Sequence, residues 1–331
     1  MSCSVFDKDH FMQVNDLPIN PSLIDKLRKA ELHSLKKILH LCVVELQQAI
    51  KVTASEASTV LEAASRVVLE SECSTAYSLL NNEKLQRQRL CLQFLQTDYV
   101  IYTGTITEIC GESGSGKTQL CLHLSIYAQL PHHLGGLNSE VLYIHSEGDF
   151  PIKRFIQLAK AVQKQHASSK IKNVTDGLIL KKVHNINEMM HVLQQSLPNL
   201  LQKGKRPKLI IIDSVAALLR SEYENSSVRT QLIQKFASEI WKLANYYRMA
   251  VVCINQVSGY KQNNLNVGSL TALDIPSLGL LWSNILTTRC ILSRQTSSVE
   301  QVIRILELVY SSYHQNILVN FKITTNGIEI I

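Results

Sequence analysis

From Tyr99 onward, short apolar runs alternate with helix-length segments. The runs are TITEIC (105–110), VLYIH (141–145), KLIIID (208–213) and AVVCIN (250–255), mostly Val, Ile and Leu without clean polar alternation. That pattern predicts parallel strands buried on both faces and joined by right-handed helical crossovers. The intervening helices are expected to begin near Lys117, Lys153, Ile186 and Val228. Further on, TTRCILSR, VIRILELV and ILVNFKITTNGIEII alternate as exposed antiparallel strands do, and Asn326-Gly327 is a type I′ hairpin signal. The expected class for residues 98–331 is α/β, a mostly parallel sheet with an antiparallel C-terminal extension.

Residues 1–15 show no periodicity and read as a flexible N-terminus. Residues 16–70 switch to punctuated helical spacing. Asn20 precedes Pro21 as an N-cap, with Leu23, Ile24 and Leu27 on one face. Ser34 is a candidate cap for a helix burying Leu35, Ile38 and Leu39, and Thr53–Glu56 has capping-box spacing ahead of Val60, Leu61, Ala64, Val67 and Val68. Together these predict a small all-helical domain. Residues 71–97 are polar and weakly patterned, as in a partly helical linker.

Composition narrows the setting. The chain has 331 residues and a net charge of +7, spread along its length, which suits a polyanionic partner without demanding one. Its eight cysteines form no C-x-x-C pair, and several lie inside apolar runs, so they read as buried reduced thiols, neither zinc ligands nor a disulfide framework. No apolar run approaches the ~20 residues that span a bilayer, and no leader pattern opens the chain. A reducing compartment, cytosol or nucleus, is expected, with no membrane partner.

In an open parallel sheet, ligands bind at the carboxyl ends of the strands, so the residues after each run are the candidate chemistry. Gly111, Glu112, Ser113, Gly114, Ser115, Gly116, Lys117 and Thr118 match G-x-x-x-x-G-K-[ST] in full, with Gln119 next. Such a loop turns backbone N–H groups onto phosphate oxygens, the following helix adds its positive end, Lys117 neutralises the β- and γ-phosphates, and Thr118 ligates Mg²⁺. Ser146-Glu147 follows the second run; Glu147 is either a carboxylate that polarises water or an exposed loop glutamate. Asp213 closes the third run, either as a metal-holding aspartate or as a helix cap. Asn255-Gln256 end the fourth, as a sensor of nucleotide state or as an internal brace. Four such strand ends make an ATPase layout.

The segments TEICGESGSGKTQLCLHLSIYAQLP, VLYIHSEGDFPIKRF, LIIIDSVAALLRSEYE and VVCINQV resemble the RecA-type recombinases of eukaryotes and archaea, across residues 18–325. Within that family the chain is most similar to the recombinase paralogues. The resemblance implies a RecA-like P-loop ATPase core binding ATP and Mg²⁺, with Glu147 as the water-activating carboxylate and Gln256 linking the γ-phosphate to a DNA-binding loop. It implies a first DNA loop at 220–229 and a second at 257–277, offering Arg220, Arg229 and Lys261 to phosphates and Tyr223 and Tyr260 for stacking. The implied partners are another paralogue, the main recombinase, and single-stranded or branched DNA, in nuclear homologous recombination repair.

Three departures matter. Cys73-Ser-Thr-Ala76 stands where recombinases carry a Phe-x-x-Ala docking element; Ala76 is kept, but Cys73 replaces the aromatic anchor. Losing that buried area weakens docking by about 1–3 kcal/mol, which favours pairing with a different paralogue over self-polymerisation. YSSYHQN (310–316) has neither the proline nor the acid of the family's ATP-capping segment, so no cap role is assigned. Gly114 fills the loop position where the strand-exchange enzyme has an arginine. Two other readings compete: a scaffold for which ATP is only structural, and a small-molecule P-loop kinase. The kinase requires an arginine-rich lid that the sparse 220–229 segment does not supply.

Overall fold

The computed structural model of the protein describes residues 14–70, 75–95, 99–167, 173–220, 226–256, 278, 282–296 and 302–331. The chain divides into two compact units, 1–85 and 86–331, a boundary inside the stretch read as a linker.

The first unit is helical. Helices α1 (Pro21–Lys29), α2 (Leu35–Leu39), α3 (Val43–Ile50) and α4 (Ala54–Glu70) follow a 3-10 turn at Val14–Asp16. Asn20 caps α1, accepting from Ser22 N at 3.0 Å. The capping box of α4 forms as expected, with Thr53 N donating to Glu56 at 2.9 Å and Glu56 N to Thr53 Oγ1 at 3.3 Å. Ser34 stands at the N-cap of α2, but its side chain makes no capping bond. Leu23, Leu27, Leu35, Ile38, Leu46, Val60 and Ala64 form the core, with Ile24, Leu39, Leu61 and Val67 packed half-buried against it. A further helix, α5 (Ala76–Gln86), occupies the middle of the 71–97 stretch.

The second unit opens with a ribbon of β1 (Arg89–Cys91) antiparallel to β2 (Val100–Tyr102), so the end of the expected linker is core structure. Then follow β3 (Ile106–Gly111), α6 (Lys117–Tyr127), β4 (Glu140–His145), α7 (Ile152–Gln165) and β5 (Leu178–Lys182). Next, α8 (Ile186–His191) runs through a π-helical turn into α9 (Leu197–Gln202), and β6 (Pro207–Asp213), α10 (Val215–Arg220), α11 (Ser226–Asn245) and β7 (Ala250–Gln256) complete the alternation. Strands β8 (Thr288–Thr296), β9 (Val302–Ser311), β10 (Leu318–Ile323) and β11 (Ile328–Ile330) close the chain.

These make one nine-stranded sheet in the order β11-β10-β9-β8-β3-β7-β6-β4-β5. The four expected runs are β3, β4, β6 and β7, parallel and almost wholly buried. Two points differ from the sequence pattern. Strand β8 was expected to be antiparallel, yet it pairs in parallel with β3 and antiparallel only with β9, so it is the junction of the two halves. Strand β5, Leu-Ile-Leu-Lys-Lys, is an edge strand too polar at its end to register as a buried run. One core layer joins the sheet to α6 and α7, which buries Phe155, Leu158, Ala159 and Val162 at helical spacing. The other layer packs α8 to α11 on the opposite face.

The C-terminal hairpin forms, but its turn is not type I′. Thr324 N donates to Gly327 O at 2.7 Å and Gly327 N to Thr324 O at 3.3 Å, which centres the turn on Thr325-Asn326, neither of them at positive φ. Gly327 serves a different need. A Cβ there would lie 2.4 Å from His123 Cε1, because the α6 histidine packs against the hairpin. His123 Nε2 accepts from Ile328 N at 3.2 Å. Burial, helped by the nearby Arg154 charge, pulls this imidazole from 6.5 to about 4. Between those values the unfolded chain takes up a proton that the folded chain refuses. Stability is therefore complete above pH 6.5 and falls as pH drops toward 4, by about 3 kcal/mol. Urea unfolding of wild type against His123→Gln across that window checks this; equal pH dependence in both would refute a buried neutral histidine.

At the centre of the sheet, Glu108 on β3 is fully buried. Its carboxylate accepts from Asn255 Nδ2 at 2.7 Å, Trp282 Nε1 at 2.7 Å and Arg289 Nε at 2.5 Å. The three donors come from β7, from the 282–285 turn and from β8. Removing one member of such a set strands the rest, which costs about 3–5 kcal/mol. Glu108→Ala is expected to lower unfolding stability by that amount, and a loss under 1 kcal/mol in chemical denaturation would contradict the clamp.

Candidate nucleotide-binding site

The end of β3 turns directly into the glycine-rich loop. Gly114 and Gly116 have φ of +78° and +105°, backbone angles that side chains other than glycine rarely adopt. Gly116 is the N-cap of α6 and uses no side-chain bond to fill that role, so the helix opens with its N–H groups unclaimed by a cap. Lys117 folds back across the loop, donating from Nζ to Gly111 O at 2.8 Å and Glu112 O at 2.7 Å. Burial lowers its ammonium pKa, while the Asp213 carboxylate opposes that shift. Ser115 Oγ is buried inside the loop with no hydrogen-bond partner. A lysine over backbone oxygens, an orphaned hydroxyl and a glycine-lined turn are the donor set that a phosphate group takes.

Thr118 Oγ1 donates to Asp213 Oδ2 at 2.9 Å. Thus the hydroxyl and the carboxylate expected to hold Mg²⁺ meet, although one opens α6 and the other closes β6. Tyr143 Oη on β4 donates to the same Oδ2 at 2.7 Å, an orienting contact that the sequence pattern did not single out. Its signal was present: a tyrosine inside a buried strand must find a partner for its hydroxyl. The Asp213–Ser214 peptide is cis. Ser146 N donates to Asp213 O at 2.9 Å, and Ser146 Oγ exchanges bonds with the Ser214 backbone at 2.9 and 3.0 Å, which ties the loop after β4 to the end of β6.

That tie places Glu147, which is exposed, at the mouth of the site. Gln256 Nε2 lies 3.5 Å from Glu147 Oε1, the outer limit of a hydrogen bond. Asn255 and Gln256 separate in role. Asn255 braces, bonded to Glu108 and accepting from Gln256 N at 2.8 Å, whereas the Gln256 side chain reaches toward Glu147. Gln119 accepts from Arg154 Nε at 2.9 Å, and Arg154 also donates to Thr324 O at 2.6 Å and Thr325 O at 2.9 Å. Arg154, missed in sequence, therefore fastens the C-terminal hairpin to the start of α6.

Arg220 ends α10, and Arg229 lies in the first turns of α11, so the segment between the helices is shorter than the expected 220–229 loop. Arg229 is half-buried and has interaction partners. Lys261, Tyr223, Tyr260 and Cys73 lie outside the described residues. Ala76 is exposed at the first position of α5. The 311–315 segment is held on its own core: His314 Nε2 is 3.1 Å from Val100 O, and Tyr313 N and His314 N donate to Ser311 Oγ. The thiols of Cys110, Cys121, Cys253 and Cys290 are free and buried, and no group of three metal-ligating side chains occurs among the described residues. No helix among them is long and apolar enough to cross a membrane.

Comparison with known proteins agrees with this geometry. The sequence model of the family described as Rad51 matches residues 94–330. The DNA repair protein XRCC3 of Bos taurus is 30% identical over 299 residues, covering 86% of this chain and 87% of its own length. The DNA repair protein XRCC3 homolog of Arabidopsis thaliana is 33% identical over 261 residues, 68% of this chain and 86% of its own. The DNA repair protein rhp57 of Schizosaccharomyces pombe is 29% identical over 330 residues, 88% and 91% respectively. With a glycine loop, a facing aspartate and a matched span running from the start of the core almost to its last residue, the chain belongs to the Rad51 family.

Proposed function

We propose that this chain binds ATP with Mg²⁺ and acts in homologous recombination repair, in the nucleus, as a paralogue that helps the main recombinase assemble on single-stranded DNA. The observation that carries the reading is the meeting of Thr118 and Asp213 at 2.9 Å beside a lysine folded over the loop. Magnesium supplies charge neutralisation at the β- and γ-phosphates when bound. Thr118 and Asp213 hold it, Lys117 gives its ammonium to the phosphates in place of Gly111 O and Glu112 O, and Ser115 gains a partner for its hydroxyl. Glu147 accepts a proton from the attacking water, and Gln256 reports the state of the site to the segment that follows β7.

Slow turnover fits the exposure of Glu147, because a solvated carboxylate is a weakly placed base. The same exposure favours the second reading, a scaffold whose ATP is structural. Partnering with another paralogue is supported by α5, where Tyr77 is 74% exposed and Leu79 57% exposed next to Ala76. The relatives' names, all DNA repair proteins, support the repair role.

Lys117→Ala is expected to weaken ATP binding at least 100-fold in equilibrium titration; unchanged affinity refutes the loop assignment. Glu147→Gln is expected to keep ATP binding and abolish turnover. Repair restored in full by that variant in cells lacking the protein selects the scaffold reading, and repair lost selects the ATPase.

A further inference from the structure

Gly114 puts no side chain into the loop, and the fold brings two cations beside it. Arg294 on β8 and Arg304 on β9 stand directly opposite each other in the antiparallel register. Both extend the buried positions Leu292 and Leu306 by two residues, which puts them on the α6 face of the sheet at its ligand-binding end. There they flank the loop. The position that a Cβ on Gly114 would take is 3.2 Å from Arg294 Nη1. The corresponding position on Gly116 is 3.2 Å from Arg304 Cδ and 3.5 Å from its Nε. Ile323 touches the same Gly116 position at 3.1 Å, and the hairpin beyond it is bound through Arg154 to Gln119.

Like charges placed directly opposite across two strands repel and destabilise the pair. Neither guanidinium has an ion-pair or hydrogen-bond partner among the described residues, and Arg304 Nε is buried without one. The guanidinium of Arg304 is held below its ordinary value by burial first and by the Arg294 charge second. By contrast, Arg289, near the opposite end of β8, has Glu108 as a counter-charge. A pair of forks without a counter-charge beside a phosphate cradle suits an anion, and the fork geometry matches phosphate oxygens.

We propose that Arg294 and Arg304 form an in-cis cationic clamp on the phosphates of the nucleotide held by the loop. This rests on the nucleotide reading above. The clamp takes its place from β8 lying parallel to β3, so both arginines belong to the same chain as the loop and need no neighbouring subunit. Loading the site with triphosphate relieves their repulsion, so occupancy also stabilises the β8–β9 pair.

The test measures binding of a fluorescent ATP analogue and, separately, of a thymidine 30-mer, for the full chain and for Arg294→Gln, Arg304→Gln, Arg304→Lys and Lys117→Ala. Arg294 is exposed, so its variant reports on the clamp even where Arg304→Gln fails to fold, as judged by thermal melting. Each Gln variant is expected to weaken ATP binding about tenfold, as loss of a charge-assisted hydrogen bond does, with Arg304→Lys intermediate. Unchanged ATP affinity in Arg294→Gln overturns the clamp, and a loss confined to the 30-mer overturns it in favour of a nucleic-acid contact. Wild type that fails to bind ATP sinks the underlying reading instead, whereas wild-type binding lost in Lys117→Ala but kept in the arginine variants sinks only the clamp.

Discussion

A carboxylate buried in the middle of β3 sets the terms for everything at the sheet's upper end. Glu108 cannot sit in that interior unpaired, so it draws Asn255, Trp282 and Arg289 onto one point and thereby fixes β7 and β8 on either side of β3. The strand ends that follow are the glycine loop, Gln256 and Arg294. Their relative heights are decided by the parallel registers, Gly111 against Gln256 on one side and against Leu292 on the other. The site is accurate because its foundation is over-determined.

Much of this was readable along the chain. Buried parallel strands announce themselves as unbroken Val/Ile/Leu runs, and β3, β4, β6 and β7 fell within a residue or two of their expected limits. Capping chemistry is local, so Asn20 and the Thr53–Glu56 box were legible too. Two features were obscured by what they touch. Strand β8 alternates because one of its faces is more deeply buried than the other, and that pattern does not encode the direction of its neighbours, parallel on one flank and antiparallel on the other. Asn326-Gly327 looked like a turn signal, whereas the glycine is required by the His123 ring against it, and the turn shifts by one residue.

The site divides the same way. Lys117, Thr118 and Asp213 follow from a contiguous motif and a strand end, and the fold brings the last two into contact. Arg154, Arg294 and Arg304 carry no signal in sequence because their meaning is entirely spatial, and Tyr143 is legible only as a buried hydroxyl in need of a partner: each acquires its role from a residue far away in sequence. Asn255 shows the intermediate case. Its burial was foreseen as a cost needing a partner, but only the three-dimensional structure identifies that partner as Glu108 and separates its bracing role from the reach of Gln256.

A nine-stranded sheet must also end somewhere, and an open flank invites another flank. Here the outermost strands are β5 and β11. The first finishes in Lys181 and Lys182, both turned to solvent, and the second is three residues long. Charge at one margin and brevity at the other discourage indiscriminate stacking of copies through their main chains, which keeps so extended a sheet dispersed in a crowded solution.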